Sequence, residues 1–316
     1  MQHSAKQCYQ NNFEIIELNN KSISAKIVVN IGNTLFSFKQ GNELLYFPFS
    51  LDEYKTNSKL TGNPFMHPWA NRLENEYIQV ENKQHHFPKE QLHLLYRDGN
   101  NLPLHGLLLK SDKWKTIELY EDEKLCYHLA EFIFDDAAFL SIFPFKHKIQ
   151  IKHQLQNNEL KIETTIFNED EKAMPISFGF NPYFFRNSKD AELTIPSINT
   201  IEVDDKMIPT GNLSTKENKW NFDDDKISLE NFAFDDGFQD LKRNENEGTV
   251  FSLNEIKIAF DENYAFAQIY APQNPDKPYV CIEPMTATTN ALNTNSCKKI
   301  KSGEKFAAIF SIILNT

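Results

Sequence analysis

Apolar residues recur at every second position along much of this chain. In KIQIKHQL, Ile149, Ile151 and Leu155 share one parity, while Lys148, Gln150, Lys152 and Gln154 share the other. ELKIETTIF repeats the pattern with Leu160, Ile162, Thr164 and Ile166, and NEIKIAF with Ile256, Ile258 and Phe260. A period of two sends successive side chains to opposite faces of an extended backbone, so such segments bury a continuous apolar face only as β-strands. YAFAQIYAP and EKFAAIFSIIL, rich in aromatic and branched residues, read as more deeply buried strands. QNNEL, FNEDEK, APQNPDKP and KSGEK supply the turns between strands. Short helices are expected only near residues 50–59 (SLDEYKTNSK) and 228–234 (SLENFAF). The fold class this implies is all-β, a large antiparallel β-sandwich.

The 316 residues read as a single domain, 1–316, with no linker and no internal repeat. The polar run TKENKWNFDDDK, residues 215–226, reads as a long surface loop, and NKQHHFP as a turn carrying His85 and His86. Twenty-six phenylalanines can fill a core without covalent staples. The four cysteines are scattered, with no CxxC pair, so neither a zinc site nor a disulfide framework is indicated. A net charge of −11 argues against nucleic acid and anionic membranes as partners. Only four arginines are present, which disfavours a phosphate-clamping site. The polar start MQHSAKQCYQNN lacks the apolar core of a signal peptide, and a cytoplasmic, monomeric protein is expected.

Four stretches break the alternation. GNPFMHPWANRLENEY (62–77) combines two prolines and Trp69 with His67, Asn71 and Arg72. In a merely structural loop, Arg72 would pair with Glu74 or Glu76. LPLHGLLLK (102–110) holds His105 beside a glycine in an apolar run, a setting that more often holds a core histidine than a catalyst. SFGFNPYFF (177–185) places one amide, Asn181, among aromatics. In YVCIEPMTATTNAL (279–292), Tyr279, Cys281 and Glu283 share a strand face. Burial of Glu283 would raise its pKa and suit a general base, whereas a strand-end position would leave it an ordinary exposed carboxylate.

Taken in order, these stretches resemble the aldose 1-epimerase family, the galactose mutarotases. GNPFMHPWANR is similar to its G-x-P-x-x-x-P-x-A-N-R pattern, LPLHG to its L-H-G step and GFNPYF to its G-x-H-P-Y-F box. IFPFKHKIQI, FDDGF and CIEPMTATTNAL, followed by KSGEKF, complete the set, from about residue 30 to the C-terminus. The resemblance implies the galactose mutarotase-like supersandwich. It also implies interconversion of the α and β anomers of a free aldose such as galactose or glucose, with neither cofactor nor metal. By the same resemblance, Glu283 is the base and His105 sits near the ring oxygen. Arg72 binds sugar hydroxyls, and Asp235, or its neighbour Asp236, accepts another. Asn71, His67 and Asn181 complete the expected sugar contacts, and Trp69 or Phe184 could stack on the sugar.

Asn181 occupies the position of the family's acid histidine. An amide donates a hydrogen bond but supplies no proton near neutral pH. The acid is then expected from His105, from bound water, or from His67 if it points into the pocket. The alternatives are a carbohydrate-binding relative with little turnover, and an enzyme for a modified sugar.

Overall fold

The computed structural model describes residues 3–315. Two large antiparallel sheets face each other. In the nine-stranded sheet, Lys115–Glu121, Leu125–Phe134, His147–Gln156, Glu159–Asn168 and Lys305–Ile313 lie side by side. It continues through Ile256–Phe260, Thr249–Leu253 and Glu192–Thr194 to Lys226–Ser228. The register explains the alternation: Ile149 stands opposite Phe132 on one side and Ile166 on the other, all buried. A slip of one residue would turn every lysine of KIQIKHQL into the core.

The other sheet has eight strands. Its order is Pro209–Thr215, Ser197–Val203, Phe234–Leu241, Phe266–Ala271, Tyr279–Met285, Gly179–Phe180 and Phe65–Met66, and Tyr183–Phe185 also pairs with Tyr279–Met285. Phenylalanines join the two sheets: the rings of Phe180 and Phe310 are 5.0 Å apart, and those of Phe178 and Phe306 6.0 Å. A five-stranded sheet over residues 4–43 adds Ile16, Leu18, Ala25, Ile27 and Phe38 to the same core.

Ser50 and Glu53 form a reciprocal cap on the short helix Leu51–Thr56, in the first of the two expected places. No helix forms over 228–234. Side chains from elsewhere take the carbonyls a helix would use: Arg186 donates to Leu229 O at 2.6 Å and Gln273 to Phe232 O at 2.6 Å. The run 215–226 is no free loop either. Trp220 is buried, and Lys216 is fully enclosed, its amine donating to Ile195 O at 2.6 Å. The turn expected at NKQHHFP lies earlier, at Glu81 and Asn82, both with positive φ, and Lys83–His86 is a strand paired with Tyr77–Val80.

Candidate active site

The polar stretches singled out above converge on the eight-stranded sheet and clamp one another through the backbone. His105 donates its N–H to Asn71 O at 2.9 Å, Leu107 to His67 O at 2.7 Å, and Leu73 to Pro103 O at 2.9 Å. Asn290 N donates to Arg72 O at 2.9 Å, while Asn290 Oδ1 accepts from Glu74 N at 3.1 Å. The glycine after His105 is required by this clamp. Gly106 has φ +76°, and a Cβ there would stand 2.1 Å from His67 O.

Arg72 is held by three acceptors. Its Nε lies 2.7 Å from Asp98 Oδ2, Nη1 3.0 Å from Asn71 Oδ1 and Nη2 3.5 Å from Asp235 Oδ2. Glu74 and Glu76 play no part; Glu76 pairs with Arg97. Asp235 also accepts from Gln268 Nε2 at 2.8 Å. Its neighbour Asp236 points the other way, to Lys219, because successive strand residues face opposite sides. Of the two aspartates, Asp235 is the one that faces Arg72. Asn71, Arg72, Asp235, Gln268, Met285 and Thr288 line a narrow cleft closed on its far side by the hairpin that carries Ile201 and Met207.

Glu283 stands opposite Gln268 in the register. On its other side, the pairs Gly179↔Met285 and Tyr183↔Cys281 bracket it, which brings Asn181 level with it. Glu283 is buried, and its Oε2 has no hydrogen-bond partner among the described residues. Burial, reinforced by Asp235 and opposed by Arg72, holds its carboxyl well above the usual carboxylate range.

His105 Nδ1 accepts the N–H of Asn71 at 3.2 Å, so the proton of the neutral ring sits on Nε2. Nε2 lies 3.5 Å from the Asn181 amide. The hydrogen-bond network assigns amide orientation, and here it requires an oxygen. With Oδ1 turned to His105, Asn181 keeps its NH2 as the free donor. Burial, with Arg72 nearby, lowers the His105 pKa to about 3, so this ring is uncharged near neutrality.

His67 departs from expectation. Its ring stacks on Phe65 and meets Phe134 and Phe143 edge-on, away from the Arg72–Asp235 cluster. Its Nε2 lies 2.7 Å from Nε2 of His147, whose Nδ1 donates to Phe145 O at 2.8 Å. Aromatic packing thus draws the ring of this histidine into the core. Trp69 stacks on Phe87, and Phe184 is fully buried, so neither ring is available to a ligand.

Three site residues escape the sequence reading. Asp98 is hidden in YRDGNNL, where it reads as turn chemistry, and it does accept the N–H groups of Asn100 and Leu102. Asn290 reads as part of a polar tail. Gln268 left a usable signal: it is the one amide in FAQIYA, on the parity of Phe266 and Tyr270 and opposite to the core residues Ala267, Ile269 and Ala271.

The strand-rich sandwich of several antiparallel sheets is a galactose mutarotase-like fold. The galactose mutarotase-like protein of Clostridium acetobutylicum superposes with a TM-score of 0.86 at 19% identity, covering 100% of this chain and 99% of its own. The galactose 1-epimerase of Lactobacillus acidophilus gives 0.76 at 16% identity, covering 99% of each chain. Among curated proteins, the uncharacterized protein YihR of Escherichia coli K12 is 20% identical over 250 residues, 78% of this chain and 76% of its own length. The sequence profile of aldose 1-epimerases matches residues 14–311, and this chain belongs to that family.

Proposed function

We propose that this protein interconverts the α and β anomers of a free aldose, and that Glu283 carries the proton traffic in both directions. The observation that carries the reading is a buried carboxyl with one unpartnered oxygen, level with Asn181 and beside the Arg72–Asp235–Gln268 cluster. Arg72 and Asp235 bind ring hydroxyls, with Asn71 and Gln268 orienting them.

Ring opening needs a base at the C1 hydroxyl and an acid at the ring oxygen. Asn181 supplies no proton, and a neutral His105 is a poor acid. Glu283, whose carboxyl burial holds well above the usual carboxylate range, supplies both roles. One carboxyl oxygen gives its proton to the ring oxygen while the other takes the proton of the C1 hydroxyl. The electron pair of the C1–O5 bond goes to O5, the C1–O1 bond becomes a carbonyl, and the carboxyl ends protonated on its other oxygen. Rotation about C1–C2 and reversal of these transfers close the ring on the opposite face. The Asn181 NH2 donates to O5 as charge develops there.

Polarimetry of freshly dissolved α-D-galactose and α-D-glucose tests this. The wild type should speed the approach to equilibrium, and Glu283→Gln should lose at least ~10²-fold while still binding sugar. An undiminished Glu283→Gln enzyme would overturn the assignment. A second reading, a sugar-binding relative with little turnover, is favoured by Asn181 itself. Galactose binding without acceleration by the wild type would establish it.

A further inference from the structure

Beyond the cleft, the same sheet face carries an aromatic shelf that a lone monosaccharide does not need. We propose that this shelf is a subsite for a second pyranose ring, so that the preferred substrate is the reducing end of a disaccharide or longer saccharide. The proposal rests on the sugar-site reading above.

The register places the shelf. One row of the sheet holds Gln268, Glu283 and Asn181. The next holds Asp235, Tyr270, Cys281 and Tyr183, paired in turn across neighbouring strands. Tyr46 extends this row, since its N–H donates to Tyr183 O at 2.8 Å beside the bridge between Leu45 and Phe184. Two residues further along its strand from Cys281 lies Tyr279, on the same face as Glu283. Each two-residue step is about 7 Å, so the tyrosines begin about one sugar unit from the carboxyl.

The rings pack against one another, tilted or edge-on, as one cluster around Tyr279. Tyr279 lies 5.0 Å from Tyr46, 5.0 Å from Tyr183 and 6.2 Å from Tyr270, centroid to centroid. Tyr46, Tyr270 and Tyr279 are half-buried, so part of each ring meets solvent. Lys277 Nζ, 3.1 Å from the Tyr270 hydroxyl, adds a polar edge. The negative π-face of a tyrosine suits the electropositive C–H face of a pyranose, while phenol and ammonium groups serve its hydroxyls. Rigid aromatic side chains offer this contact at little entropic cost. A fatty or peptidic occupant would not call for the sugar-binding row immediately beside it.

Titration calorimetry with D-glucose, D-galactose, maltose, cellobiose and lactose tests the shelf. The wild type should bind at least one disaccharide about tenfold more tightly than its reducing monosaccharide. In Tyr279→Leu and Tyr46→Leu, which keep apolar bulk but lose the ring, that ratio should fall toward one. No disaccharide preference, or a preference untouched by both variants, overturns the shelf. So would a shelf covered by a second copy, seen as a dimer that Tyr279→Leu dissociates. Polarimetry on the same samples separates the two readings. Tight disaccharide binding without acceleration refutes the epimerase and keeps the shelf. Acceleration without preference refutes the shelf alone, and absence of any sugar binding refutes both.

Discussion

Replacing Asn181 by histidine should create a second acid and change the shape of the pH–rate profile. The new imidazole would stand level with Glu283 and within reach of His105, whose Nε2 is 3.5 Å from the present amide. A positioned general acid is worth about 10²- to 10⁴-fold in rate. Burial takes part of that back, because this pocket already lowers His105 to about 3. An acid two units below the assay pH is only about 1% protonated. The facing carboxyl works the other way, since an opposite charge at about 4–6 Å favours both charged forms. The outcome is a gain of about tenfold at pH 7 and about 100-fold near pH 5 for Asn181→His. The profile shape is the sharper test. In the wild type the rate should fall as pH rises through the raised Glu283 pKa, with no acidic limb above that of free carboxylates. In Asn181→His, Glu283 ionises more readily and the profile becomes bell-shaped, as for a separate acid and base. Stopped-flow polarimetry from pH 5 to 8 measures both. A wild type that is already bell-shaped around neutrality would refute the single-carboxyl mechanism. A variant that binds galactose normally yet gains nothing at any pH would refute the claim that the missing acid limits the rate.

Two further outcomes follow from the same geometry. Arg72→Lys keeps the charge but loses the fork that meets Asp98, Asn71 and Asp235 together, so kcat/KM should fall by about 10- to 100-fold; an unchanged value would show that these contacts do not orient the sugar. Acid should destabilise the fold below pH 6.5. Burial lowers His105, His128 and His153 to about 3 and His147 to about 4, with His67 lowered as well. The unfolded chain therefore binds more protons between pH 6.5 and about 4, and each histidine costs up to about 1.4 kcal/mol per pH unit in that window. Glu283 is shifted the opposite way and offsets roughly one of them. Urea midpoints that stay level from pH 7 to pH 5 would contradict the buried neutral histidines.

How much of this was legible in the chain depends on whether a residue's role is set by its neighbours in sequence or in space. The strands were legible, since Ile149 and Ile162 reveal their burial through the parity of adjacent residues. The helix near Leu51 was legible from Ser50 and Glu53, whose cap lies within one turn. The segment 228–234 was not, because its carbonyls are claimed by Arg186 and Gln273, far away along the chain. At the site, Arg72, His105 and Glu283 could be picked out because each interrupts a pattern. His67 interrupts one too, yet its partner His147 lies inside an alternating strand and draws the ring into the core. Of the shelf tyrosines, only Tyr279 stood out, on the face of Glu283; the others read singly as ordinary strand aromatics, and only the pairing of strands gathers them. The most informative departure is Asn181, a polar residue kept at a buried position where an apolar one would pack better. Burying an amide with an unpaired group is costly, and the cost is intelligible if that group meets a ligand. The same reasoning applies to Glu283 Oε2, buried and unpartnered on the neighbouring strand. Two orphaned polar groups level with each other across paired strands are what a pocket for a hydroxylated ring requires, with or without a histidine between them.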